Sequence, residues 1–266
     1  MGVGSAGSVP ELIVVTGAGR GIGRAIALGM GETASFVLCI SQSEKANETA
    51  ETIRAGGGNA DGLVIDLAEF ESAEQTVSEW ILSSGFTRIG VVLAAATLGP
   101  TGPLLATRLT EWERTFQINV LGNLAVVRAV LPTQAKAKFG RILFFAGGGA
   151  AYAYPIFPAY AASKTALVRI VENLDEDLTD KGDFAVAIVA PGAVETDTLA
   201  AVRASGGEVR TTVGIDEPTA FAKAFVTSGS CAFSGCFVHV RDTWSKHLDG
   251  GYDLERQDLW KLRRVE

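Results

Sequence analysis

The sequence predicts a single α/β domain with a doubly wound, mostly parallel sheet of seven strands and helices on both faces. Three observations predict it. Short apolar runs that stop at glycine or an acid alternate with longer helix-forming segments along most of the chain. The 266 residues include 31 glycines, as many strand-to-helix turns require. Hydrophobic residues make up 47% and charged residues 20%, which suits one large core.

Taken in order, residues 1–10 are rich in Gly and Ser and lack a basic leader region, so they read as a flexible terminus and not a signal peptide. Residues 12–16 form a buried strand that stops at glycine, and 22–30 the helix over that turn. Residues 35–40 read as a second strand. Residues 44–55 read as a helix, polar on one face and ended by Gly56, Gly57 and Gly58. The third strand is read at 63–65, closed by Asp66, with a helix at 70–82 and the fourth strand at 89–94. Gly and Pro make 97–107 a loop, and one long helix is expected over 110–136. Residues 141–145 are the fifth strand, followed by Gly147, Gly148 and Gly149. A second long helix covers 157–180, and the sixth strand, 184–189, ends at Pro191-Gly192. Residues 196–217 are irregular, hold Gly206-Gly207, and read as a mobile lid. A helix at 218–228 and a last strand at 236–240 complete a domain over 11–240. Residues 241–266 are an extension carrying Trp244, Trp260, Arg263 and Arg264. No internal repeat or domain boundary is evident.

The net charge of −7 argues against a nucleic-acid surface. Cys39, Cys231 and Cys236 cannot all pair, and they read as reduced thiols of a cytoplasmic protein. Two histidines, His239 and His247, are too few for a His-rich metal site. No apolar run approaches the roughly 18–20 residues needed to span a bilayer.

The chemistry-bearing residues fall in two groups. Thr16-Gly17-Ala18-Gly19-Arg20-Gly21-Ile22-Gly23 joins the first strand to the first helix. Glycines there let the backbone turn tightly and approach a pyrophosphate, whose charge meets the helix N-terminus. An NAD site usually offers an acid to the ribose hydroxyl at the end of the second strand. This chain reads Cys39-Ile40-Ser41-Gln42-Ser43 there, and Arg20 in the turn is able to meet a 2′-phosphate. Both features favour NADP(H) over NAD(H); the plainer reading leaves Arg20 solvated. Asp66 is placed either to receive the adenine amino group or to cap a helix. The second group is Tyr160-Ala-Ala-Ser-Lys164. Four residues apart on a helix, Tyr160 and Lys164 share a face. The ammonium is expected to stabilise a phenolate and lower the tyrosine pKa, so that Tyr160 acts as a general acid or base.

These motifs resemble those of the short-chain dehydrogenase/reductases of the compact classical type, over residues 12–240. The matching pieces are the glycine turn, Asp66, Asn119 in Asn119-Val120-Leu121-Gly122, the Tyr160/Lys164 pair, and Pro191-Gly192 followed by Thr196. The resemblance implies a Rossmann fold and hydride exchange between a nicotinamide and a carbonyl or alcohol. It implies that Tyr160 moves the proton and that Lys164 binds the nicotinamide ribose. Asn119 would hold a helix distortion and a relay water, and Thr196 would meet the carboxamide. Ser41, Leu67, Ala94 and Val194 join the expected cofactor-binding set. A homodimer or homotetramer is expected, with the two long helices as an interface.

Two departures stand out. Leu93-Ala94-Ala95-Ala96 replaces the family's Asn-Asn-Ala-Gly, so side-chain hydrogen bonds that brace the sheet are expected to be absent. The family's substrate-polarising serine has no counterpart in residues 145–150, where Ala146 and Gly147 stand in its region. One such hydrogen bond is worth about 3–4 kcal/mol in the barrier. Backbone amides of Gly147 and Gly148, Thr97, Tyr152 and Tyr154 are candidate replacements. Tyr152 and Tyr154 are also expected to line an aromatic substrate pocket, or to pack on a neighbouring subunit. Arg203 and Arg210 are candidates to clamp an acidic substrate, or are solvated. The leading reading is an NADP(H)-dependent carbonyl reductase. The alternative is a nucleotide-binding scaffold that has lost catalysis.

Overall fold

Runs such as Leu12-Ile13-Val14-Val15 are apolar at every position because both faces of their sheet are covered. Leu12 and Val14 point into one core, Ile13 and Val15 into another across the sheet. The computed structural model describes residues 9–33, 35–207, 209, 212–228, 234–246 and 261–262. Its main sheet contains β1 (Leu12–Thr16), β2 (Phe36–Ser41), β3 (Asn59–Val64), β4 (Ile89–Leu93), β5 (Phe139–Phe145), β6 (Asp183–Ala190) and β9 (Phe237–His239). A separate pair joins β7 (Ala193–Val194) to β8 (Thr212–Val213). The main order is β3-β2-β1-β4-β5-β6-β9, and every pairing is parallel.

The helices are α1 (Gly21–Gly31), α2 (Lys45–Ala55), α3 (Phe70–Ser84), α4 (Leu109–Phe116), α5 (Asn123–Ala137), α6 (Pro158–Leu178), α7 (Asp197–Ala204) and α8 (Asp216–Thr227). α3, α5 and α6 cover one face; α1, α2 and α8 cover the other. The strand order reverses between β1 and β4, which opens a crevice at the carboxyl ends of the strands.

Four readings of the sequence are corrected. The third strand begins at Asn59, before the apolar run, because β3 is the edge strand and its polar residues face solvent. The helix read over 110–136 is interrupted by a π-helical turn, Gln117–Gly122, between α4 and α5. The lid region is not irregular throughout, since it holds α7, capped by Thr196, and β8. The last strand spans three residues, not five. Residues 1–8, Arg210, Cys231, His247, Trp260, Arg263 and Arg264 lie outside the described residues. Within them, Trp244 packs edge-on against Phe221 and its indole N–H donates to the Val240 carbonyl. Burial pushes the Cys39 thiol up to about 12 and the Cys236 thiol up to about 11, so both are unreactive packing groups. Among the described residues, no group of His, Cys, Asp or Glu is placed to hold a metal ion. No helix among them is long and apolar enough to cross a membrane.

Candidate active site

A cleft of about 1700 Å³ lies at the crevice. Its floor starts at the glycine turn. Gly17 (φ 68°) and Gly21 (φ 54°) occupy the left-handed region that glycine tolerates. A Cβ on Gly17 would press on the Ala95 backbone at 2.9 Å, and one on Gly23 would collide with the Gly17 carbonyl. The turn therefore closes only with glycines, and it delivers the start of α1 to the cleft without a side-chain cap. Uncapped first-turn amides and the helix dipole favour an anion there. These residues fit a dinucleotide pyrophosphate.

Every residue expected to bind the cofactor lines this cleft, Ser41, Asp66, Leu67, Ala94, Val194 and Thr196 among them, and so do Gly147, Gly148, Tyr152 and Tyr154. Lys45, which the sequence reading missed, lines it too. The first residue of α2, Lys45 packs with Ser41 around Gly19, and its ammonium has no ion-pair partner among the described residues. Its position next to the end of β2 was the available signal. Arg20 reaches across to Asp197, with Nη1 3.3 Å from Oδ2, both side chains largely exposed. Asp66 caps the following turn by accepting from the Ala68 amide at 2.9 Å and pairs with Arg114 at 3.1 Å. Arg203 is held bidentately by Glu195, just before the lid, and does not stand as a substrate clamp.

Tyr160 and Lys164 both face the cleft from α6, as their spacing requires. Lys164 is 1% exposed, and its ammonium donates to the Phe145 carbonyl at 2.7 Å. It lies 5.7 Å from the centre of the Tyr160 ring. The expected lowering of the tyrosine pKa is not what this arrangement produces. Burial, with a smaller contribution from Tyr154, pushes Tyr160 up to about 12. Burial pulls Lys164 down to about 7. The ammonium is bound to a backbone carbonyl and is itself poorly solvated, so desolvation of the phenolate prevails. At neutral pH the phenol keeps its proton.

Asn119 does not line the cleft; it is fully buried behind it, in the π-helical turn. Its Oδ1 accepts from the Thr97 amide at 2.8 Å, and its Nδ2 donates to the Thr97 carbonyl and to Ser163 Oγ. The Ser163 hydroxyl donates to the Tyr160 carbonyl at 2.7 Å. Asn119 thus ties the loop after β4 to the helix that carries Tyr160.

The brace expected to be missing after β4 is present, built from other residues. The Thr16 hydroxyl donates to Asn123 Oδ1 at 3.0 Å and accepts from the Ala95 amide at 3.1 Å. Asn123 Nδ2 donates to the Ala95 and Asn119 carbonyls. An asparagine on α5 reaches back to do what the strand's own alanines cannot.

Gly147 lies directly beneath Tyr160. A Cβ there would sit 3.1 Å from ring atoms Cε1 and Cζ and nearer still to the hydroxyl oxygen. The phenol occupies the room that a side chain at position 147 would take.

Comparison with known proteins agrees with this geometry. Residues 11–206 match the family model for short chain dehydrogenases. The chain is 31% identical over 237 residues to versicolorin reductase 1 of Dothistroma septosporum, covering 86% of this chain and 88% of that one. A short chain dehydrogenase of Pseudocercospora fijiensis is 30% identical over 187 residues, 69% of this chain and 60% of the relative. A crystal structure from Beutenbergia cavernae, with NADP bound at low occupancy, superposes with a TM-score of 0.80 at 27% identity, covering 90% of this chain and 98% of the other. A glycine turn at the crevice, a Tyr/Lys pair facing the cleft from one helix, and these matches lead to one conclusion: the chain belongs to the short-chain dehydrogenase/reductase family.

Proposed function

We propose that this chain is an NADP(H)-dependent reductase of a ketone or aldehyde, running in reverse as an alcohol dehydrogenase. The observation that carries the reading is the Tyr160 phenol, packed against Gly147 in the same cleft as the glycine turn. Bound there, the nicotinamide supplies or accepts the hydride. The chain's own residues do the rest. The turn at Gly17–Gly23 holds the pyrophosphate. Arg20, Lys45 and Ser41 receive the 2′-phosphate, which favours NADP(H) over NAD(H). Pro191, Gly192, Val194 and Thr196 contact the nicotinamide end, and Lys164 binds its ribose. Tyr160 donates its proton to the developing alkoxide of the substrate. Asn119 positions α6 through Ser163.

The substrate is a small molecule with an apolar body. Tyr154, Ile156, Val202 and Phe237 help wall the cleft, while Tyr152 is 66% exposed. The versicolorin reductase relative is in keeping with a reductase. Residues 11–240 act as one catalytic domain, with 196–217 as its lid and 241–266 as an extension. Exposed Leu104, Leu105, Leu109 and Leu121 on and beside α4 support assembly into a homodimer or homotetramer. The two buried thiols suit a cytoplasmic setting. The bare Gly147 favours one second reading, a nucleotide-binding relative without turnover. Titration with NADPH and NADH, followed by addition of a ketone panel, separates the two. Selective NADPH binding with oxidation by a panel member supports the reductase; tight binding with no turnover supports the second reading.

A further inference from the structure

A carbonyl being reduced develops negative charge on oxygen, and one proton donor is commonly joined by a second hydrogen bond. Position 147 offers no side chain for it. Of the hydroxyls near Tyr160, Thr97 has its backbone amide and carbonyl both bound by Asn119, and its Oγ1 accepts from the Gly99 amide. Tyr152 is 66% exposed. Tyr154 differs. Its Cβ packs 3.5 Å from the Cβ position of Gly149, its ring leans on Phe157 with centroids 5.6 Å apart, and its hydroxyl ends 3.1 Å from the Cβ position of Gly207 in the lid. The side chain lines the same cleft as Tyr160. It is half-buried, and among the described residues its hydroxyl has no hydrogen-bond partner. The two phenols are close enough for the charge of Tyr154 to act on Tyr160. Burial raises the Tyr154 pKa, which keeps its proton available as a donor at neutral pH.

We propose that Tyr154 donates the second hydrogen bond to the substrate carbonyl oxygen, in place of a side chain at position 147. This rests on the reductase reading above. Tyr154 keeps its proton throughout; the proton that moves is that of Tyr160. The arrangement also makes the lid part of the chemistry, since the Tyr154 hydroxyl is set against Gly207.

The test uses the full chain, NADPH and a ketone that the wild type reduces. Tyr154→Phe keeps the ring and removes only the hydroxyl. The expected result is a fall in kcat of about 10²–10³-fold with little change in NADPH affinity or melting temperature. A ketone held with NADP⁺ in a dead-end complex provides a second readout. Its carbonyl stretch should move to higher wavenumber in the variant, because a hydrogen bond to oxygen has gone. A variant within a few-fold of wild type overturns the proposal. A slower variant with an unchanged carbonyl stretch also overturns it, leaving Tyr154 as a lid support. If the wild type reduces no ketone, the reductase reading fails and this inference falls with it; an active wild type beside a normal Tyr154→Phe refutes the inference alone.

Discussion

Replacing Gly147 by alanine tests how tightly Tyr160 is set. The added methyl would sit 3.1 Å from Cε1 and Cζ of Tyr160 and closer to its hydroxyl oxygen. Ordinary contact requires the phenol to retreat by about 1 Å. Its escape is limited, because α6 is pinned by the Lys164 bond to Phe145 and the Ser163 bond to Asn119. A displacement of about 1 Å at a reacting group costs on the order of 100-fold in rate. Overpacking costs about 1–3 kcal/mol of stability. The glycine turn is far along the cleft, so NADPH affinity should be nearly unchanged. The assay is steady-state ketone reduction beside fluorescence titration with NADPH. Gly147→Ser should behave as Gly147→Ala does, because the steric term precedes any benefit from the new hydroxyl. An alanine or serine variant as active as wild type would refute the placement of Tyr160 against position 147.

Asn123→Leu should cost about 1–3 kcal/mol in urea unfolding, since it strands the buried Thr16 hydroxyl and two carbonyls; an unchanged midpoint would mean that the brace carries no load. Arg20→Ala and Lys45→Ala should each weaken NADPH binding about tenfold while NADH binding barely moves, and equal losses for both cofactors would disprove 2′-phosphate recognition. The folded chain holds the Lys164 proton only to about pH 7, the unfolded chain to its ordinary 10.5. This group therefore opposes folding below about pH 7, and the opposition fades as pH rises toward 10.5. Wild-type stability should rise relative to Lys164→Met across that window, and parallel pH profiles would contradict the burial of the ammonium.

The strands with covered faces were legible because burial on both sides demands apolar residues throughout, as in β1, β4 and β5. The edge strand β3 was read short because Asn59, Asp61 and Gly62 need not be apolar at the rim of a sheet. α7 escaped because it buries only Leu199 and Val202, too few for a periodic signal. In the site, the glycine turn and the Tyr160/Lys164 pair are local patterns, so spacing reveals them. The Thr16–Asn123 bond joins residues 107 apart, and no local pattern announces it. The direction of the Tyr160 pKa shift was misjudged for a similar reason. Spacing places Lys164 on the same face, but only the fold shows that its ammonium is turned to the Phe145 carbonyl and that both groups are desolvated.

The most direct test of the central claim compares wild type with Tyr160→Phe. Each is titrated with NADPH by nicotinamide fluorescence and then challenged with the ketone panel. Equal NADPH affinity, with oxidation by a ketone in the wild type alone, is the expected result. Undiminished turnover by Tyr160→Phe, or failure of either protein to bind NADPH, would contradict it.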